Sequence, residues 1–192
     1  MLYLASQSPR RRELLGQLGA TFSVLDVNIV EKRAIDEAPQ DYVQRVARDK
    51  AKEGLASLDT DKRATAVVLG ADTEVVLDGD VFGKPDDAAD AAAMLRRLSG
   101  RTHEVISAVW LVSTERETGE VCVSKVRFAV LDDATIDAYV ASGEPFGKAG
   151  AYAIQGRGAT LIEHLEGSYS GVMGLPLFET AWLMRNFRAN KA

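Results

Sequence analysis

The sequence predicts an α/β protein whose sheet is mixed rather than wholly parallel. Short apolar runs with strand character alternate with segments of helical periodicity along the whole chain. Asp78-Gly79 lies between two apolar runs, a hairpin signal that breaks a regular βαβ rhythm. Residues 103–114 and 120–130 alternate apolar and polar side chains, as two long antiparallel strands would.

The elements follow in order. Leu2–Ala5 reads as a short buried strand. Ser6 and Ser8 are N-cap candidates, and Pro9 suits the first helical position. Leu14, Leu15 and Leu18 recur at helical spacing until Gly19, and a strand is expected at Phe22–Leu25. Residues 39–58 place Tyr42, Val43, Val46, Ala47 and Ala51 on one helical face. Residues 66–69 form a β-branched run ending at Gly70, and residues 74–77 resume it, with Asp72 read at a strand end or turn. Asp86 or Asp87 caps an alanine-rich helix with Met94, Leu95 and Leu98 inward, closed by Gly100. The two long strands are expected to join through residues 117–119. Asp132 or Asp133 starts a helix to about Ser142, residues 160–165 read as a strand, and Pro176 opens the last helix. Trp110 and Trp182 lie in periodic segments and are expected in or just under the core.

A chain of 192 residues fits one domain, here expected as two lobes over residues 1–192. Its length suffices to bury about 70% of the unfolded surface, so neither a disulfide nor a structural zinc is needed. The single cysteine, Cys122, is flanked by Val121 and Val123 and reads as a buried strand thiol. The expected location is the cytoplasm: no secretory signal and no membrane span is legible. A net charge of −5 disfavours binding to a nucleic-acid polymer, whose affinity rests on phosphate neutralisation. A small phosphorylated ligand needs only a local basic pocket, and the basic residues cluster locally.

Five segments carry groups suited to phosphate or metal. Ser6-Gln7-Ser8-Pro9-Arg10-Arg11-Arg12 puts three arginines at a helix N-terminus, where they oppose the helix dipole unless an anion arrives. Gly70-Ala71-Asp72-Thr73-Glu74 places Asp72 beside a buried run, where a carboxylate needs a cation. Such a carboxylate can hold Mg²⁺ against a phosphate. Gly83-Lys84-Pro85 fixes the backbone beside a lysine. The segment from Gly143 to Gly150 is one residue short of a phosphate-binding Walker loop, and Ala149 stands where its Ser or Thr would be. It reads instead as a glycine-rich turn closing a pocket. In the fifth, Gln155 stands among small and apolar neighbours, with an amide able to donate and accept towards a base edge. Gly167-Ser168-Tyr169-Ser170-Gly171 and Gly174-Leu175-Pro176 add a flexible turn and a second anion contact. His103 and His164 are isolated, so a zinc site is not expected, and no nucleophile elbow is present. Metal-assisted phosphoanhydride hydrolysis is the chemistry that remains.

The strings Leu4-Ala5-Ser6-Gln7-Ser8-Pro9-Arg10-Arg11, Gly70-Ala71-Asp72-Thr73, Lys84-Pro85 and Tyr152-Ala153-Ile154-Gln155-Gly156 closely resemble the Maf family of nucleoside triphosphate pyrophosphatases. The resemblance runs from Leu2 through the final helix. It implies a two-lobed, curved, inosine-triphosphatase-like α/β fold with a mixed sheet and a cleft between the lobes. It also implies cleavage between the α and β phosphates of a nucleoside triphosphate, dependent on Mg²⁺ or Mn²⁺. By position, Asp72 matches the family's proton acceptor, and Glu31, Arg11 and Lys84 match further functional positions. Arg10, Thr73 and Gln155 match those marking substrate preference. The Gly-Ala-Asp-Thr and Ile-Gln-Gly forms resemble the branch acting on dTTP and UTP. Members of that branch carry Glu-Lys-Pro where this chain has Gly83-Lys84-Pro85. On this reading Glu31 and Asp72 hold the metal, and a homodimer is expected. Two alternatives stay open: the same reaction on 7-methyl-GTP, or a nucleotide-binding regulator of septum formation.

Overall fold

A computed structural model describes residues 1–189. A seven-stranded sheet forms from β1 (Leu2–Ala5), β2 (Phe22–Leu25), β3 (Val67–Leu77), β4 (Asp80–Phe82), β5 (Thr102–Val112), β6 (Glu117–Phe128) and β7 (Ile162–Glu166). Its order is β2-β1-β3-β5-β6-β7, with β4 paired to β3. The β1/β2 and β1/β3 ladders are parallel and the others antiparallel, so the sheet is mixed. Helices α1 (Pro9–Gln17), α2 (Pro39–Ala56), α3 (Thr60–Arg63), α4 (Ala88–Leu98), α5 (Asp133–Ala141), α6 (Tyr169–Met173) and α7 (Leu177–Ala189) cover it. Among the described residues, no helix is long and apolar enough to cross a membrane.

The apolar stripe of α2 lies on one face of the sheet, where Val43, Val46 and Ala47 meet Val76, Ile106 and Ala108. The opposite face carries two separate helix groups. Towards one end, Leu14 and Leu15 of α1 and Leu183 and Phe187 of α7 pack on Leu69, Ala71, Val109 and Leu111. Towards the other, Leu95 and Leu98 of α4 and Ile136 and Tyr139 of α5 pack on Val75, Leu77 and Val105. Period-two alternation puts all these strand residues on the same face. The long strands therefore run through two cores, and Thr73 falls between Ala71 of one and Val75 of the other. These cores are the two lobes.

The edge of β3 completes the gap. Val67–Leu69 pair with β1 and Val75–Leu77 with β4, which leaves residues 70–74 without a strand partner on that edge among the described residues. The sheet is open where β1 has ended and β4 has not begun.

Several local expectations are corrected. The stretch around Asp72 is continuous strand, neither strand end nor turn; the ladder to β5 runs unbroken from Val68 to Val76. Hydrogen bonding along its other edge explains why a glycine and a carboxylate do not break it. The turn expected at residues 117–119 lies instead at residues 113–116, where Ser113 N–H donates to Arg116 O at 2.9 Å. Gly119 is a strand residue opposite Trp110, and a Cβ there would lie 1.9 Å from the indole ring. The glycine makes room for a tryptophan rather than a turn. Trp182 is 45% exposed and lies outside the core, because the stripe of α7 that packs inward is Leu183 and Phe187. The strand expected at residues 160–165 begins at Ile162, after a 3₁₀ turn over Arg157–Leu161.

Buried His103 donates to or accepts from the Tyr152 hydroxyl at 2.8 Å and packs edge-on against Phe128. Burial pushes its pKa down to about 4. The folded value lies below the ordinary 6.5, so the unfolded chain takes up the proton first. Stability is thus fully present above about pH 6.5 and is lost as pH falls towards 4, by about 3 kcal/mol from this group. Urea midpoints of wild type and His103→Gln at pH 7 and pH 4.5 check this: the variant is expected to lose less on acidification. Parallel losses would rule the assignment out.

Candidate functional site

Between the two lobes lies a cleft with a cavity volume of about 460 Å³, in the size range of small-molecule sites. Its first wall is the N-terminus of α1. Ser8 caps the helix by accepting from Arg11 N–H at 3.4 Å, and Pro9 occupies the first turn. The first turn contains no acid, so its free N–H groups and the two arginines present an unbalanced positive end. Arg11 is pinned: Nε donates to Gly174 O at 2.9 Å, Nη1 to Ser6 Oγ at 3.4 Å, and Nη2 reaches Thr73 Oγ1 at 3.5 Å. Burial, together with the neighbouring charge of Arg11, lowers the pKa of Arg10. Two guanidinium groups crowded at one helix end form a site for an anion.

The floor is the open stretch of β3. Asp72 is 3% exposed, and its Oδ1 accepts from Lys50 Nζ at 2.8 Å. The same ammonium lies 2.9 Å from Glu31 Oε1, in the irregular segment ahead of α2. Lys50 therefore joins the two predicted metal-holding carboxylates, and it supplies the counter-charge that burial of Asp72 demands. Asp72 Oδ2 is buried without a hydrogen-bond partner among the described residues. Two residues on, Glu74 points to the same face, and its Oε2 is likewise without a partner. Burial pushes the Glu74 pKa up to about 8, with the charges of Asp72 and Glu31 adding to the effect.

Gly70 sets the depth of this floor. A Cβ there would lie 2.2 Å from Ala47 O, so β3 approaches α2 as closely as only a glycine allows, bringing Asp72 within reach of Lys50.

Thr73 faces the other way. Its hydroxyl is 2.8 Å from Ser107 Oγ, which donates to Gly171 O at 2.6 Å. Lys84 follows the β3–β4 hairpin and is exposed at the cleft mouth, and Gln155 is likewise exposed and lines the cleft. The glycine-rich stretch contributes Gly147 and Lys148 to the cleft. All seven residues singled out from the sequence (Arg10, Arg11, Glu31, Asp72, Thr73, Lys84 and Gln155) line this one cleft.

Sequence reasoning missed Lys50. It occupies the apolar stripe of α2, four residues after Val46 and three after Ala47, and a lysine on a buried face was the available signal. Glu74 shares its period-two face with Asp72, which was also legible. Cys122 is buried, and burial with the nearby Glu179 charge raises its pKa, as suits a structural thiol.

Among the described residues, no three His, Cys, Asp or Glu side chains come together as a protein-only metal set. Mg²⁺ does not require one, since it commonly binds through one or two carboxylates plus substrate phosphates and water. The orphaned Asp72 Oδ2 and the cleft-facing Glu31 fit that pattern.

Comparison with known proteins places this geometry in context. A family model described as Maf-like protein matches residues 1–187. A dTTP/UTP pyrophosphatase of Xanthomonas euvesicatoria pv. vesicatoria is 58% identical over 191 residues, covering 99% of this chain and 100% of that protein. A nucleoside triphosphate pyrophosphatase of Xylella fastidiosa strain 9a5c is 59% identical over 188 residues, covering 97% of this chain and 98% of the relative. Among solved structures, the Ham1 protein of Staphylococcus aureus superposes with a TM-score of 0.51 at 10% identity. It covers 100% of this chain and 99% of its own, a likeness of fold alone.

Proposed function

The chain belongs to the Maf-like protein family, and on that premise we propose that it hydrolyses dTTP and UTP to the nucleoside monophosphate and pyrophosphate. The observation that carries this reading is one cleft lined by both a basic and an acidic group of side chains. A basic helix terminus bearing Arg10 and Arg11 and the Asp72–Lys50–Glu31 cluster line it together, with Arg11 reaching Thr73 beside Asp72. The names carried by relatives of 58% identity support the substrate choice.

The triphosphate lies with its anionic end towards the α1 N-terminus, where Arg10 and the backbone N–H groups bind it. Arg11, held by Gly174, Ser6 and Thr73, keeps its charge fixed beside that path. Lys84 reaches in from the cleft mouth to the departing pyrophosphate. A water oxygen attacks the α-phosphorus in line, the bridging oxygen leaves with the pyrophosphate, and Asp72 takes the proton from the water. Lys50 orients Asp72 through Oδ1. Gln155 meets the base edge by hydrogen bonds. Glu31 and Asp72 would hold a Mg²⁺ or Mn²⁺ ion; when bound, it neutralises phosphate charge and makes water a better nucleophile.

Pyrophosphate release from dTTP, UTP and 7-methyl-GTP, with Mg²⁺ or Mn²⁺ and with chelator, tests the reading. Release from dTTP and UTP that chelator abolishes is the expected result. Release from 7-methyl-GTP alone would replace the substrate assignment. Silence across the panel would overturn the activity and leave nucleotide binding as the role.

A further inference from the structure

We propose that Glu144 is a positioning residue for base recognition, clamping the loop that carries Gln155 from both sides; this rests on reading the cleft as a nucleotide site. Residues 152–156 belong to neither helix nor strand, so nothing regular in their own backbone fixes Gln155. Two anchors flank them. On the far side, Glu144 Oε2 accepts from Arg157 N–H at 2.9 Å and Oε1 accepts from Gly158 N–H at 2.8 Å. On the near side, Ala153 N–H donates to the Tyr139 hydroxyl at 3.1 Å, and that hydroxyl donates to Glu144 Oε1 at 2.9 Å. One carboxylate thus holds residue 153 through Tyr139 and residues 157 and 158 directly. Only Ile154, Gln155 and Gly156 lie between the anchors.

The rest of the geometry fits a clamp. Gly156 has φ 104°, and a Cβ there would lie 2.5 Å from Glu144 Oε2, so the carboxylate occupies space that only a glycine leaves open. Ala151 enters the loop at φ 58°, a left-handed conformation that an alanine holds only when its surroundings impose it. Ile154 is buried and fixes the loop from beneath, while Gln155 remains exposed to the cleft. The backbone of Glu144 is held in turn, because Lys148 Nζ donates to Glu144 O at 3.1 Å and to Phe146 O at 3.2 Å. Partial burial works against ionisation of Glu144, but the bonds from Gly158, Arg157 and Tyr139 prevail and lower its pKa. It stays an acceptor-only group at neutral pH, as three converging donors require.

Glu144→Gln keeps the shape but turns one acceptor into an NH₂ donor facing backbone N–H groups. Tyr139→Phe removes only the hydroxyl link and keeps the ring in its core. Steady-state kinetics on dTTP are measured for both, for Gln155→Ala and for Glu144→Gln in the Gln155→Ala background, with thermal unfolding recorded for each. Glu144→Gln is expected to raise KM about tenfold with kcat within about threefold, as the loss of ordered hydrogen bonds would. Tyr139→Phe shifts KM the same way by less, and serves alone should Glu144→Gln not fold. In the Gln155→Ala background, Glu144→Gln adds no further rise in KM, because both act through one contact. An unchanged KM, or an equal rise in that background, overturns the clamp while wild-type activity stands. An inactive wild type overturns the proposed reaction instead.

Discussion

Replacing Asp72 with asparagine is expected to lower turnover of dTTP about a thousandfold or more while leaving the fold in place. General-base groups contribute about 10²- to 10⁴-fold, and the asparagine amide has no basic lone pair to take the water's proton. The fold should survive because the change is isosteric and Asp72 lies mid-strand, with β3 fully paired to β5 from Val68 to Val76. An amide oxygen can still accept from Lys50 at the position of Oδ1, and Lys50 keeps Glu31 as a charged partner. Far-UV circular dichroism, thermal unfolding and single-turnover kinetics together check the expectation. Retained turnover would mean that the proton goes elsewhere, and Glu74, on the same strand face, would be the next group to replace.

Lys50→Met should have the largest effect on stability. The ammonium is buried and is the only cation hydrogen-bonded to Asp72 among the described residues. Removing one partner of a buried ion pair costs about 3–5 kcal/mol, because the remaining charge loses its compensation. Methionine fills most of the volume, so packing contributes little to the loss. Turnover should fall as well, since Asp72 Oδ1 is no longer held and Oδ2 is free to rotate from the cleft. The double variant Lys50→Met/Asp72→Asn should be more stable than Lys50→Met alone, because the stranded charge is gone. Urea unfolding of the four proteins forms a cycle that isolates the pair. If the two losses add, Lys50 contributes through packing and not through charge.

How much of this could be read from the chain depends on whether the signal was local. The cap at Ser8, Pro9 in the first turn, the Asp78-Gly79 hairpin and the stripe of α2 are local patterns, and each formed where its residues dictate. The residues that line the cleft were legible as polar groups collected at breaks between apolar runs. What failed was non-local. Gly119 looks like a turn until Trp110 is known to stand opposite, in a strand that pairs across to β6 in one register from Thr102 to Val112. Asp72 looks like a strand end until β5 is seen to pair with it. Lys50 reads as one more residue of an amphipathic helix, because the pairing with Asp72 spans 22 positions and depends on Gly70 letting β3 approach α2. Glu144 meets Tyr139, Arg157 and Gly158 through a loop with no periodic pattern to announce it.

The central claim is attack at the α-phosphorus within this cleft, and isotope transfer tests it most directly. Hydrolysis of UTP by the wild-type chain is run in ¹⁸O-labelled water, and both products are analysed by mass spectrometry. The expected result is one ¹⁸O in the nucleoside monophosphate and none in the pyrophosphate. Label in the pyrophosphate with an unlabelled monophosphate would place the attack on the β-phosphorus and contradict the account.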